Sequence, residues 1–244
     1  MAFDDPGALD LAALFRDARM FRSREDWAAA GFTVVNRVNS GRIMVARHPA
    51  ARGLLFKRYT SDVSESDQTR NFERRVEGSR RLRAFVADRR LDRVVVAQKW
   101  LLELPRKRFD RGAHILAVEQ FDLMPEDRVQ ATYKAIDPSV LRDLCVVLFN
   151  FRGMDSNVKN LPFVADGRVA FVDTEHWDRN SSKSYLHHIE GYLSRDRKKL
   201  AARIFDQLAD GGDARHVSLA RDFDDEEDTS SSSSYSSSGY ASSS

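Results

Sequence analysis

Apolar residues recur at helical spacing in LDLAALFRDARMF and again in REDWAAAGF, so the pattern predicts one or two short helices before the first strand. From Phe32 the period changes. FTVVNRV, GRIMVARH and GLLFKRYT are short, rich in Val, Ile and Phe, and separated by Asn-Ser-Gly and Pro-Ala-Ala-Arg-Gly, which predicts an antiparallel meander. QTRNFERRVEGSRRLRAFVADRR then sets Phe72, Val76, Leu82, Phe85 and Val86 near one face among arginines, a helix of about four to six turns. VVVAQKWLLEL and HILAVEQFDLM read as two further strands, joined by the basic stretch PRKRFDRGA. After Pro125 the period is helical again in EDRVQATYKAI and in DPSVLRDLCVVLFNF, where Asp137 is placed to cap and Pro138 to open the helix. LPFV and RVAFVD flank Ala-Asp-Gly, a hairpin signal, and YLHHIEGYLSRDRKKLAARIFDQLA ends the pattern as one or two amphipathic helices.

Composition adds boundaries to this order. The chain has 244 residues, 42% of them apolar, enough for a packed core and short enough for one domain, with room for two lobes. Its net charge of +2 is unevenly spread: residues 222–244 hold six of the 37 acids and no base, so 31 acids face 39 bases in residues 1–221, a body charge of +8. That last segment, acidic and then serine-rich, has too little apolar surface to offset the entropy of ordering and is expected to be a disordered tail. It reads as a solubilising extension or as a phosphorylatable, partner-binding one. No apolar run reaches the roughly 18–20 residues of a membrane span, and MAFDDPGALD lacks the basic and apolar halves of a signal peptide. A cytoplasmic chain is expected, with secretion as an effector left open. The single cysteine, Cys145, excludes an intramolecular disulfide framework and a multi-thiolate zinc site, and its apolar helical surroundings mark it as core.

The chemistry concentrates in RGMDSNVKNLPFVADGRVAFVDTE. Asp155 is followed five positions later by Asn160, the hairpin starts at once, and its second arm ends on Asp173. The hairpin returns Asp173 to the end from which Asn160 departs, so two carboxylates and an amide converge. Phosphoryl transfer uses such a set: one carboxylate to orient a hydroxyl and accept its proton, and an amide oxygen and a second carboxylate to hold Mg²⁺ against nucleotide phosphates.

With these residues in place the sequence resembles the protein-kinase-like superfamily, which includes aminoglycoside and other small-molecule phosphotransferases. RGMDSNVKN stands where that family has its catalytic loop and VDTE where it has its metal-binding segment. The resemblance spans about residues 32–177. It implies a two-lobed α+β fold: a helical extension over 1–31, a strand-rich N-lobe over 32–125, and a reduced helical C-lobe over 126–221 before the tail at 222–244. It implies Asp155 as catalytic base, and Asn160 and Asp173 as ligands of Mg²⁺. Lys57 would hold the ATP phosphates and pair with a helix glutamate, Glu77 in preference to Glu73. Val118 would adjoin the adenine, and the backbone from Glu119 to Phe121 would bond its edge. The implied activity is an atypical kinase that transfers the γ-phosphoryl group of ATP to a hydroxyl on a protein, with a small-molecule acceptor as the alternative.

The chain also departs from that family. NRVNSGRIMV carries only Gly41 where a glycine-rich loop would cradle phosphates. Gly153-Met154 replaces His-Arg before Asp155, Thr174-Glu175 follows Asp173 in place of Phe-Gly, and no Ala-Pro-Glu segment follows. Control by a phosphorylated activation loop is therefore not expected. Two readings from other classes stand beside the enzyme. One is a pseudokinase scaffold, favoured by the absent glycine loop. The other is a nucleic-acid binder, favoured by Arg74, Arg75, Arg80, Arg81, Arg83, Arg89, Arg90 and Arg93, although no aromatic-interleaved basic motif supports it.

Overall fold

The computed structural model describes residues 14–15, 23–36, 43–59, 63–103, 114–178 and 186–214. The first expected helix, apart from Leu14 and Phe15, most of the loop around Gly41, the basic stretch 105–113 and the tail 222–244 lie outside the described residues.

Helix α1 (Arg24–Ala29) opens on a capping box, in which Ser23 Oγ accepts from the Asp26 amide and the Asp26 carboxylate accepts from the Ser23 amide. The chain then lays down strands β1 (Thr33–Val34), β2 (Ile43–Arg47) and β3 (Leu54–Tyr59), the meander expected from alternation. β1 is short because Asn36 takes over its pairing, accepting from the Val45 amide at 2.9 Å and donating to the Ile43 carbonyl at 2.8 Å. Helix α2 (Glu65–Asp88) follows, and starts three residues before the expected Gln68 because the Ser64 hydroxyl accepts from the Asp67 amide.

The segment VVVAQKWLLEL is not one strand. It divides at Ala97-Gln98 into β4 (Val94–Val96) and β5 (Lys99–Glu103), which belong to different sheets. At the break the Ala97 amide donates to Phe171 and the Gln98 carbonyl accepts from Glu119, so each half satisfies its backbone on a different partner. β5 joins β6 (His114–Glu119), completing a five-stranded antiparallel sheet in the order β1-β2-β3-β6-β5. β4 pairs in parallel with β7 (Val169–Phe171).

Helices α3 (Glu126–Lys134) and α4 (Pro138–Asn150) come next, the second capped by Asp137 and opened by Pro138 as its sequence indicates. The hairpin is present: the Val164 carbonyl accepts from the Gly167 amide, the Val164 amide donates to the Arg168 carbonyl, and Gly167 sits at φ +87°. Its first arm pairs by isolated bridges, Phe163 with Val169 and Val164 with Leu123, and Pro162, which has no amide to donate, serves as acceptor for Ala170. The helix expected from residue 185 begins later: the described chain turns at 186–189, passes one 3₁₀ turn (Glu190–Tyr192), and enters α5 (Arg195–Ala209) at the cap Ser194.

Strand alternation gives the larger sheet two buried faces. Met44, Phe56, Ile115, Ala117 and Leu102 pack with Trp27, Phe32 and Phe15 on one side. Tyr59, Leu116 and Val118 pack with Phe72 on the α2 side. A separate core joins α3, α4, α5, β4 and β7, and the far half of α2 contributes Leu82 to it, so one helix is packed against both regions. The fold is thus mixed α and β, with an antiparallel five-stranded sheet and a helical region. Cys145 is fully buried in the helical core, and burial pushes its thiol well above the usual range. No helix among the described residues is long and apolar enough to cross a membrane.

Candidate functional site

The inward stripe of α2 is Gln68, Phe72, Arg75, Ser79 and Leu82, alternating steps of four and three as a buried helical face requires. Each of its polar members makes at least one hydrogen bond. Ser79 Oγ donates to the Ala97 carbonyl at 2.6 Å, and Gln68 Nε2 to Val63 at 2.8 Å. Arg75 reaches across to the segment after β7, where its guanidinium donates to Asp173 Oδ1 at 3.1 Å and to Glu175 Oε2. Gly78 permits this approach: a Cβ at that position would lie 2.2 Å from the Thr174 carbonyl oxygen and 2.5 Å from Trp177. Thr174, fully buried between the two acids, donates to the Arg75 carbonyl at 2.7 Å and accepts from Lys99 Nζ at 2.7 Å. The residues 173–175 are therefore tied to α2 and to β5 at once.

Lys57 and Lys99 share one face of the sheet. Lys57 is paired with Leu116 and Lys99 with Val118, two positions apart on β6, so both side chains leave on the α2 side. Burial and then the nearby Arg75 lower the Lys57 ammonium to about 8, against the partial support of Asp173. Burial and then Lys57 hold Lys99 well below an ordinary lysine. Asp173 moves the other way: burial would raise it, but Arg75, Lys99 and Lys57 together outweigh that and keep it ionised below the usual carboxylate range.

The loop 151–160 leads into the first arm of the hairpin. Asp155 Oδ2 accepts from Asn160 Nδ2 at 2.9 Å, and Oδ1 accepts from the Asn157 amide at 3.0 Å. His188 Nε2 lies 3.6 Å from the same Oδ1, and the His188 amide donates to Ser156 Oγ. The Asn160 carbonyl accepts from the Val172 amide at 3.1 Å, which brings the base of the loop beside Asp173. Loop and hairpin end are joined as their spacing indicates.

Between β3 and the exit of β6 lies a cleft of roughly 650 Å³, lined by Leu55, Lys57, Val118, Glu119, Phe121 and Val172 among others. Its rim segment is fixed from both sides. The Glu119 and Gln120 amides donate to Gln98 and Gly53, Asp122 accepts from Ala165, and Met124 donates to Phe163. Among the described residues nothing accepts from the Phe121 amide. The cleft thus offers an apolar slot, a free backbone donor and one lysine.

One expected site residue is misplaced. Glu77 does not meet Lys57: it pairs with Arg80 at 2.8 Å and Arg81 at 2.6 Å, which hold its carboxyl down at about 2. Two positions on from Arg75 at about 100° per residue, it falls on the outer side of the helix. Glu73 is exposed as well. The inward place is held by a cation, Arg75. Arg75, Lys99 and Thr174 were not singled out as site residues from sequence, although the stripe at 68, 72, 75, 79 and 82 carries the signal for the first. Arg75 is also lost to any external basic footprint, and Arg74, Arg80 and Arg81 are paired with Asp178 and Glu77.

For Mg²⁺ the donor chemistry fits. Among the described residues, Asp173 Oδ2 and Asn160 Oδ1 are hard oxygens with no protein donor on them, since Arg75 and the Glu175 amide take Oδ1 and Asp155 takes the Asn160 amide nitrogen. No cluster of three or more His, Cys, Asp or Glu side chains suited to a metal occurs among the described residues, so substrate phosphates and water would complete the shell. No family model matches the chain, and no curated protein matches its sequence.

Proposed function

We propose that this chain is an atypical kinase of protein-kinase-like, two-lobed architecture, which transfers the γ-phosphoryl group of ATP to a hydroxyl on a protein. The observation that carries the reading is the convergence of distant segments on one cleft: Lys57 from β3, the β6 exit from Val118 to Phe121, and the hairpin end that bears Asp173. The five-stranded sheet with α2 inserted after β3 supports the reading, since the resemblance implies a strand-rich N-lobe.

In this reading the adenine lies in the apolar slot beside Val118, with its edge on the Phe121 amide. Lys57 contacts the phosphates. Asp155 orients the acceptor hydroxyl, and Asn160 holds the carboxylate in place through its amide. Asn160 and Asp173 would hold Mg²⁺, which when bound neutralises charge on the phosphate oxygens. As the acceptor oxygen forms its bond to Pγ, the bond from Pγ to the bridging oxygen breaks, ADP departs with that electron pair, and the hydroxyl proton passes to Asp155. Catalysis rests on positioning and charge neutralisation.

A second reading, a nucleotide-binding scaffold, draws on the Arg75 bridge, because a guanidinium on Asp173 competes with a metal for the same carboxylate. Incubation with γ-labelled ATP and Mg²⁺, alone and with lysate, separates the two. Label on the protein or a lysate protein that vanishes in Asp173→Ala and Asp155→Ala supports the kinase. Nucleotide binding without transfer supports the scaffold, and RNA retention without nucleotide binding removes both.

A further inference from the structure

Arg75 reverses the charge at the point where α2 faces the cleft. Its guanidinium takes both carboxylates of the segment, Asp173 and Glu175. Lys57 and Lys99 are left over: among the described residues neither ammonium has a carboxylate oxygen within 4.0 Å, and the bond to Thr174 gives Lys99 a hydroxyl in place of a counter-charge. The groups that face this centre are Lys57 on β3, Arg75 on α2, Lys99 on β5, and Asp173 and Glu175 after β7, with the Tyr59 hydroxyl bonded to Arg75. Three cations meet two carboxylates. An excess positive charge out of water is costly unless something anionic offsets it, and Lys57 brings this centre to the wall of the cleft, where an anion can meet it.

Resting on the kinase reading, we infer that the nucleotide's polyphosphate is held by the protein's own surplus cations, so that ATP binds without a divalent metal and only the transfer step requires one. Lys57 contacts the phosphates. Arg75 and Lys99 act as positioning residues behind it: Arg75 occupies the acids that would otherwise neutralise Lys57, and Arg75 and Lys99 together fix residues 173–175 to the helix and the sheet. Because the recognition is of charge, affinity grows with the number of phosphates.

Calorimetric titration of ATP, ADP and AMP in EDTA, repeated with Mg²⁺, tests the inference on wild type, Lys57→Met and Lys99→Met. Metal-free ATP is expected to bind at least tenfold more tightly than AMP. Lys57→Met loses at least tenfold of that affinity, and Lys99→Met several-fold. Lys99→Met also removes an uncompensated buried charge, so its nucleotide-free melting temperature rises; a merely structural lysine would give a lower melting temperature and unchanged affinity. ATP binding seen only with Mg²⁺, or metal-free affinities within twofold for the three nucleotides, overturns the inference and leaves the kinase reading standing. Absence of binding in both buffers overturns both.

Discussion

Asp173 and Asp155 are carboxylates of one proposed site, held by opposite means. Asp173 is 30% exposed, faces an 8%-exposed arginine across a helix contact, and feels two further buried cations. Asp155 is 43% exposed, and its partners are an amide side chain, a backbone amide and an exposed histidine. The first acid is part of the packing that joins α2 to the rest of the protein. The second sits on a loop, its side chain half in water between the buried Met154 and Ser156. A group held between charges is built into the interior, whereas the one that the proposed reading assigns to the acceptor hydroxyl is left in water.

Substitutions at the two acids should therefore separate stability from chemistry. Asp173→Asn is expected to lower transfer by about a thousandfold, the scale of a lost electrostatic stabiliser. It should also cost roughly 2–3 kcal/mol of unfolding free energy, as Arg75 keeps only Glu175. Asp155→Asn should lower transfer by about 10²–10⁴-fold with ATP affinity unchanged and stability within about 0.5 kcal/mol of wild type, which denaturant melts would check. Equal losses of stability at both positions would break the comparison.

Gly78→Ala sharpens it from the helix side. On an isolated helix the change would stabilise by roughly 1 kcal/mol, but here the new methyl group meets a backbone oxygen and the Trp177 ring. A net loss of about 1–3 kcal/mol is expected in urea unfolding, with nucleotide affinity falling alongside it. The pH dependence is smaller and has a definite sign. Lys57 is held near 8 in the folded chain against 10.5 for an ordinary lysine, so between those values the unfolded chain binds more protons and stability from this group rises with pH. Below 8 both states are protonated and its slope vanishes. Relative to Lys57→Met, wild type should gain up to roughly 1.4 kcal/mol per pH unit in that window, and metal-free ATP affinity should fall as pH rises through 8. Glu77→Gln, which touches only Arg80 and Arg81 outside the site, should leave ATP affinity unchanged.

The sequence made the strands, the capped helices and the Asp-Gly hairpin legible because each rests on local chemistry: alternation, a capping side chain, a positive φ. The junction of the loop end at Asn160 with the strand end at Val172 was legible for the same reason, since the hairpin alone joins them. Glu77 failed because its assignment came from sequence distance to Lys57 rather than from the helical phase. Counting from Phe72 in steps of three and four leads to Arg75 and Ser79 and passes Glu77 by. The division of VVVAQKWLLEL was not legible, since every residue of it suits a strand and only the positions of Phe171 and Glu119, remote in the chain, decide where it parts. Lys99 was hidden in the same way: a lysine in an apolar strand reads as solvent-facing until Thr174, remote in the chain, is placed on its buried ammonium.

Lys57 is where the buried cationic end of the cleft meets the proposed ligand, so its ionisation reports on the account most directly. Lysine Cε resonances can be followed by NMR through a pH titration with and without metal-free ATP, and the Lys57 signal assigned by its loss in Lys57→Met. The account predicts a midpoint near 8 that moves up by at least one pH unit when ATP is added. A midpoint already at the ordinary lysine value, or one that ATP leaves where it was, would contradict it.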